Sequence, residues 1–468
     1  MALQKGDSTL GPSVMKEKNV MEKRSKMQLA LQMVSGYGAE FSAWRMPGTD
    51  PAAYTNMDSY VERAKLAEQG KFQMIFIADT PVLSNNLGSQ TPMFPMDPML
   101  ALMAVARETK HIGLVATLST TFNYPYNIAR QFKALDVISH GRVGWNAVTT
   151  SDPLAAANFG ARVTERKERY DKAHESIQIV QALWGSWESD AWTLDVEGGR
   201  FADMDKIQPI NLQGQYYASR GPLPIPPSEQ GQPVIFQAGG GREGLELAGK
   251  YASGVYANPY DIASAREHRQ AIRQSAVRFG RNPDDIKMFA GFMFSLASTE
   301  EEALNRRKQL MNFNPQEIPN RVSYLGSMIG VPLSVNLVDI DKPIPADLLK
   351  NAYANPRDPR SPIALKLLLQ GLSVRDVLAH GVINYHPVVA GTPTQVADFL
   401  EEWFLAEACD GFSVVPDVSF DGVADFVNQV IPILQERGLF HKEYEGKTLR
   451  ENMSIPYEYG MREYGINE

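Results

Sequence analysis

Residues 111–148 read HIGLVATLSTTFNYPYNIARQFKALDVISHGRVGWNAV, and the fold turns on how this stretch is parsed. Ile112–Thr117 (IGLVAT) and Val143–Val148 (VGWNAV) are short apolar runs, and Asn127–Ser139 between them has the length and periodicity of a helix. Strands that are apolar on both faces and joined through a helix belong to a parallel sheet covered on each side. Upstream, the same alternation gives a strand at Met27–Met33, a helix around Asp58–Gln69, a strand at Phe72–Ala78 (FQMIFIA) and a helix near Pro98–Glu108. Downstream, a helical Val163–Trp184 precedes an excursion at 185–232 rich in Gly, Pro, Trp and Asp. Val234–Ala238 (VIFQA), a helix around Glu243–Lys250, Gly254–Ala257, a helix through Ile262–Phe279, Ile286–Phe294 and a helical Glu300–Phe313 follow. A Pro-rich, irregular insertion at about 314–390 interrupts the pattern before a helix from Thr392, a last strand Gly411–Val415 and a helix Val423–Glu436. Eight strand–helix repeats predict an α/β fold, a (β/α)8 TIM barrel with insertions, running over 27–450 as one domain. An open doubly wound sheet is the competing arrangement.

The rest of the composition narrows the function classes. Against 46 Lys and Arg stand 54 Asp and Glu, a net charge of -8, with no basic block suited to a phosphate backbone, so nucleic-acid binding is not expected. Cys409 is the only cysteine, so no disulfide within the chain and no thiolate cluster is possible, as suits a reducing cytoplasm. Residues 1–26 carry six lysines and arginines without a sustained apolar run and read as a flexible N-terminal extension, and 451–468 as a C-terminal tail. No stretch of about 18 apolar residues exists for a membrane span.

In a barrel of this kind, chemistry gathers at the C-terminal ends of the strands. Asp79 follows FQMIFIA, Thr117 ends IGLVAT and Asn146 lies in VGWNAV; each also has an ordinary role as a cap or a strand residue. Gly239-Gly240-Gly241-Arg242-Glu243-Gly244 follows a strand and opens a helix, so its backbone N–H groups suit a phosphate, although a tight turn without a ligand has the same sequence. Arg166 and Tyr170, four apart on a helix, share a face and reach either one ligand or solvent. None of the seven histidines forms a His-x-His pair, so no metal site is expected. His380 and His386 fall near the end of the insertion, where a lid would carry them over the barrel mouth. There is no Gly-x-Ser-x-Gly elbow, and Cys409 reads as a core residue in a helical context.

Ordered blocks along nearly the whole chain carry a resemblance. They are GKFQMIFIAD (70–79), DPMLALMAVARETKHIGLVATLSTTFNYPYNIAR (97–130), LDVISHGRVGWNAVTT (135–150), ANFG (157–160), ERYDKAHE (168–175), LWGSWESDAW (183–192), GPLPIPPSEQGQPVIFQAG (221–239) and GLFHKEYEGKTLRENM (438–453). Together they resemble the bacterial luciferase-like flavin-dependent monooxygenases, in particular the nitrilotriacetate, EDTA, dibenzothiophene-sulfone and long-chain-alkane monooxygenase group. The resemblance implies a barrel that takes reduced FMN (FMNH2) from a separate NAD(P)H:flavin reductase. There FMNH2 reacts with O2 to a C4a-peroxyflavin, and one oxygen atom passes to a small organic substrate. It also implies a homodimer or homotetramer. Asp79, Thr117 and Tyr170 fall on the family's flavin-contacting positions, and Gly240 and Gly241 where it binds the FMN phosphate. Departures are visible too. Arg166 stands where relatives often carry histidine, Gly241 where they often carry serine, Tyr124 and Asn127-Ile128 where histidines are frequent, and SGYGAEFSAWR (35–45) lacks a histidine usual there. His380, His386 and Tyr124 are the candidates for proton donation or oxygen activation. A deazaflavin-dependent dehydrogenase of the same superfamily is the alternative.

Overall fold

The computed structural model describes residues 26–83 and 86–461. The extension anticipated at 1–26 lies outside them apart from Lys26, as does the tail from 462 onward. Eight parallel strands close into a barrel in chain order: β1 Gln28–Gln32, β2 Met74–Ile77, β3 Gly113–Ser119, β4 Val143–Val148, β5 Val234–Ala238, β6 Gly254–Ala257, β7 Lys287–Leu296 and β8 Gly411–Pro416. Each pairs with the next, and Gln28 to Leu31 of β1 register with Gly411 to Val414 of β8, so no open edge remains. The doubly wound alternative is excluded by that closure.

Alternation along the strands sorts their side chains. Ile75 and Ile77 of β2 and Leu114 and Ala116 of β3 point outward, into the layer beneath the helices. Met74, Phe76 and Val115 point inward and meet Phe236, Tyr256 and Phe289 in the barrel lumen. The Phe236 ring occupies the space where Gly144 and Gly254 lack side chains, since a Cβ there would lie 2.7 and 2.1 Å from it. From below, Leu449, Met453 and Ile455 plug the lumen, so the segment after 449 closes the floor of the barrel. Only the C-terminal end of the strands is left open.

The helices that matter for the site are α1 Met57–Gln69, α2 Pro98–Glu108, α3 Pro125–Ile138, α4 Arg166–Trp184, α5 Arg242–Tyr251, α6 Ile262–Arg278, α7 Glu300–Asn312 and α8 Pro393–Leu405. Their starts are written in the sequence: Asp97 caps Met99 and Leu100 N–H ahead of α2, and Thr392 and Gln395 form a capping box at α8. Cys409 is buried as expected, although it lies in the turn between α8 and β8 and not in a helix.

The segment expected to be irregular at 314–390 is so over much of its length, but it also carries helices. Helices Ile318–Met328, Ser361–Leu369 and Val374–Ala379 enclose a core of their own, with Val322, Leu325, Met328, Leu368, Val374 and Val377 buried together. Pro319 and Pro362 stand in the first turns of two of these helices, where a missing N–H costs nothing, so they start helices instead of breaking them. The same segment ends in a ninth strand, Val388–Gly391, which pairs with Met293–Leu296 of β7 beyond the point where β6 leaves it.

Candidate active site

A cavity of about 890 Å³ opens at the C-terminal end of the barrel. Every barrel strand contributes to its wall, from Gln32 of β1 and Phe76 of β2 to Gly291 of β7 and Ser413 of β8. Asp79, Thr117, Asn146 and His386 line it. Burial, with Asp97 adding repulsion, pushes the Asp79 carboxyl up to about 6. Thr117 Oγ1 accepts a hydrogen bond of 2.9 Å from Asn146 Nδ2, while Asn146 Oδ1 is buried without a protein partner. Such an acceptor is costly unless something in the cavity donates to it. Phe76 and Tyr256, stacked with ring centroids 4.0 Å apart, give the lining an apolar aromatic floor.

His386 enters from the insertion and is 7% exposed. Its Nδ1 is buried without a partner, and burial pushes its pKa down to about 4, so the imidazole is neutral at physiological pH. Room for the ring comes from Gly291, where a Cβ would lie 2.2 Å from His386 Cε1. Tyr260 Oη donates to the His386 carbonyl at 2.8 Å and also to that of Asn384, tying the segment to the loop after β6.

Beside this cavity, beyond Ala238, the triple glycine enters α5 with Gly241 as its N-cap. Three side chains converge on it. A Cβ on Gly241 would lie 2.1 Å from Arg166 Nη2, one on Gly240 3.4 Å from His268 Cε1, and one on Gly239 3.6 Å from the Tyr170 hydroxyl. The Arg166 guanidinium lies 5.6 Å from the Tyr170 ring centroid, and its Nε donates to Glu243 at 2.8 Å. His268 Nε2 is buried without a partner. A helix N-terminus, glycines that let a ligand approach the backbone, a guanidinium and an unserved imidazole nitrogen make a cradle suited to a phosphate. His268 was not legible beforehand, since it stands in an unremarkable stretch of α6.

Two sequence candidates fall elsewhere. Tyr124, the N-cap residue of α3, is 72% exposed, packs edge-on to Tyr217 and does not line the cavity. Its position just before a helix that starts at Pro125 turns it outward. His380 caps the end of Val374–Ala379 and feels Glu300, Asp376, Arg307 and Lys308, away from the cavity wall. Conversely, SGYGAEFSAWR brings an unanticipated group into the lining, Glu40. Burial alone would raise its carboxyl, but Arg307, Arg321 and the Asn384 amide outweigh that and hold it below the ordinary carboxylate range. Among the described residues no cluster of three or more His, Cys, Asp or Glu could hold a metal ion.

Fold and site define a class: closed parallel barrels whose strand ends surround a ligand cavity flanked by a glycine turn suited to an anion. The chain belongs to the luciferase-like monooxygenase family, whose model matches residues 38–358. It is 38% identical over 439 residues to N-acetyl-S-(2-succino)cysteine monooxygenase from Bacillus subtilis (strain 168), covering 92% of this chain and 97% of that protein. It is 34% identical over 431 residues to nitrilotriacetate monooxygenase component A from Aminobacter aminovorans, covering 89% and 94% respectively. Among solved structures, EDTA monooxygenase from Chelativorans sp. BNC1 superposes with a TM-score of 0.78 at 31% identity, over 92% of this chain and 99% of that one. Membership places the chain among the oxidoreductases. No helix among the described residues is long and apolar enough to cross a membrane.

Proposed function

We propose that the protein is the oxygenating component of a two-component, reduced-FMN-dependent monooxygenase acting on a small organic substrate. The observation that carries this reading is the juxtaposition of the Gly239–Gly241 cradle with a large, aromatic-floored cavity holding an unserved acceptor at Asn146 Oδ1. FMN is a dianion joined to a flat ring with polar edges, and both halves of the site fit it. The glycine turn, Arg166, Tyr170 and His268 would hold the phosphate. Asp79, Thr117 and Asn146 would meet the polar edge of the ring, and a reduced ring carries the N–H donors that Asn146 Oδ1 lacks. When bound, reduced FMN supplies the electrons for activating dioxygen, one atom of which enters the substrate while the other leaves as water.

The protein's own part is positioning, drying and proton handling. Phe76 and Tyr256 present a flat apolar surface, and the insertion, through Ile383, Asn384, Tyr385 and His386, covers the mouth and limits water. Neutral His386, with Nδ1 free, is placed to hold or pass a proton inside the cavity, and it replaces His380 and Tyr124 as the residue assigned that role. A separate NAD(P)H:flavin reductase would supply the reduced cofactor by diffusion, in the cytoplasm, to a homodimer or homotetramer. The component name of the nitrilotriacetate relative supports this division of labour. A deazaflavin-dependent dehydrogenase has weaker support, because structural neighbours of that kind are 14–16% identical and speak to the fold alone. The test is a reductase-coupled assay with NADH, FMN and 18O2 over a panel of thioether, sulfone, amino-polycarboxylate and alkane substrates. One labelled oxygen per product molecule is expected. NADH oxidation that yields only hydrogen peroxide across the whole panel refutes the reading.

A further inference from the structure

The cavity wall carries one guanidinium that the flavin reading does not use. Arg321, on helix Ile318–Met328 of the insertion, is the one Lys or Arg among the described residues lining the cavity. Its nearest anionic partner is Glu40, but Arg321 Nη2 stands 3.6 Å from Glu40 Oε2, beyond hydrogen-bond reach. Glu40 is already served from elsewhere. Its Oε1 accepts from Arg307 Nη2 at 3.1 Å and from Asn384 Nδ2 at 3.2 Å, and Arg307 is buried behind it. Two guanidiniums around one carboxylate leave a single positive charge, and the arginine that faces the cavity holds it. Glu40, Asn384 and Arg321 lie by β1 and the insertion, whereas Asp79 and Asp152 hang from β2 and β4, on the arc that also leads to the glycine turn.

On the strength of the proposed oxygenase reading, we infer that the substrate carries a carboxylate and that Arg321 is the residue that recognises it. The planar guanidinium offers donors in the fork geometry that matches a carboxylate, and it is only 21% exposed, so little water competes. Glu40 holds the charge in place beside the cavity, while Arg307 and Asn384 both serve its other oxygen, Oε1. One net positive charge is enough to pair with one carboxylate group of the substrate.

The test uses equilibrium binding, measured by calorimetry on the full chain. Thiodiacetate, succinate and iminodiacetate are each compared with the dimethyl ester, for wild type, Arg321→Gln and Arg321→Lys. At least one acid is expected to bind about ten- to a hundredfold more tightly than its ester. Arg321→Gln should level acid and ester, and Arg321→Lys should restore part of the preference. If no acid outbinds its ester, or if the preference survives Arg321→Gln while only the melting temperature falls, the inference is overturned and Arg321 is a structural partner of Glu40. Reduced-FMN binding is titrated separately on the same proteins. Loss of flavin binding with the acid preference intact sinks the oxygenase reading alone, and the reverse result sinks this inference alone.

Discussion

Arg166→Ala should weaken reduced-FMN binding about tenfold, and the size of that effect follows from where the guanidinium lies. A hydrogen bond from a charged group to a phosphate is worth about 1.5–3 kcal/mol where it is well shielded. The Arg166 side chain is 52% exposed and already engaged by Glu243 at 2.8 Å, so solvent screening and the loss of that pair on rearrangement bring the expectation to the bottom of the range, about 1.4 kcal/mol. Glu243→Gln should act in the opposite direction, tightening binding about two- to fivefold, because it removes a negative charge beside the phosphate and releases Arg166. The double variant should fall between the two, with the difference reporting their coupling. The assay is anaerobic titration of the protein with dithionite-reduced FMN, repeated with reduced riboflavin, which has the same ring and no phosphate. Arg166→Ala should leave the riboflavin affinity within twofold. An equal loss for both ligands, or no loss for FMN, refutes the assignment of this corner to the phosphate.

Three further outcomes are expected. Asp79→Asn should stabilise the apoprotein: a carboxyl raised from 3.8 to about 6 folds with no penalty below pH about 4 and with one fully developed above about 6. The gain over wild type should therefore grow with pH through that window to about 1–2 kcal/mol in urea denaturation at pH 8, and a gain that shrinks with pH contradicts it. Gly291→Ala places a Cβ against His386, whose backbone is held by Tyr260, so product formation should drop by roughly 10²-fold while reduced-FMN affinity is unchanged; wild-type turnover would remove His386 from the mechanism. Met453→Ala empties part of the barrel floor, where Met453 is fully buried, and should cost about 2–5 kcal/mol of stability, read from the shift in urea midpoint.

The barrel was legible because its signal is local and repeated. FQMIFIA, IGLVAT and VGWNAV are apolar on both faces, which only a parallel sheet between two layers requires, and all three are strands of the closed barrel. The glycine turn was legible as local structure for a similar reason, since three glycines after an apolar run and before a helical one mark a tight strand-to-helix turn. What the sequence left obscure depends on contacts between distant segments. Glu40 becomes a cavity residue only because Arg307, 267 positions away, and Asn384, 344 away, reach it. His268 gains meaning only when α6 packs beside α5. His380 and His386, six apart and equivalent in the sequence, part company because one ends a helix against α7 and the other turns back toward Gly291. Part of the insertion escaped the sequence for a physical reason as well: Pro319 and Pro362 are first-turn residues, and their disruptive reputation concealed the two helices they start.

The most direct test of the account is a crystal structure of the protein soaked with FMN. The account predicts the phosphate within hydrogen-bond distance of the Gly240–Gly241 backbone, Arg166 and His268, with the ring extending over Phe76 and Tyr256 so that Asn146 Oδ1 gains a partner. A phosphate bound at any other place, or a ring lodged outside the eight-strand mouth, would contradict it.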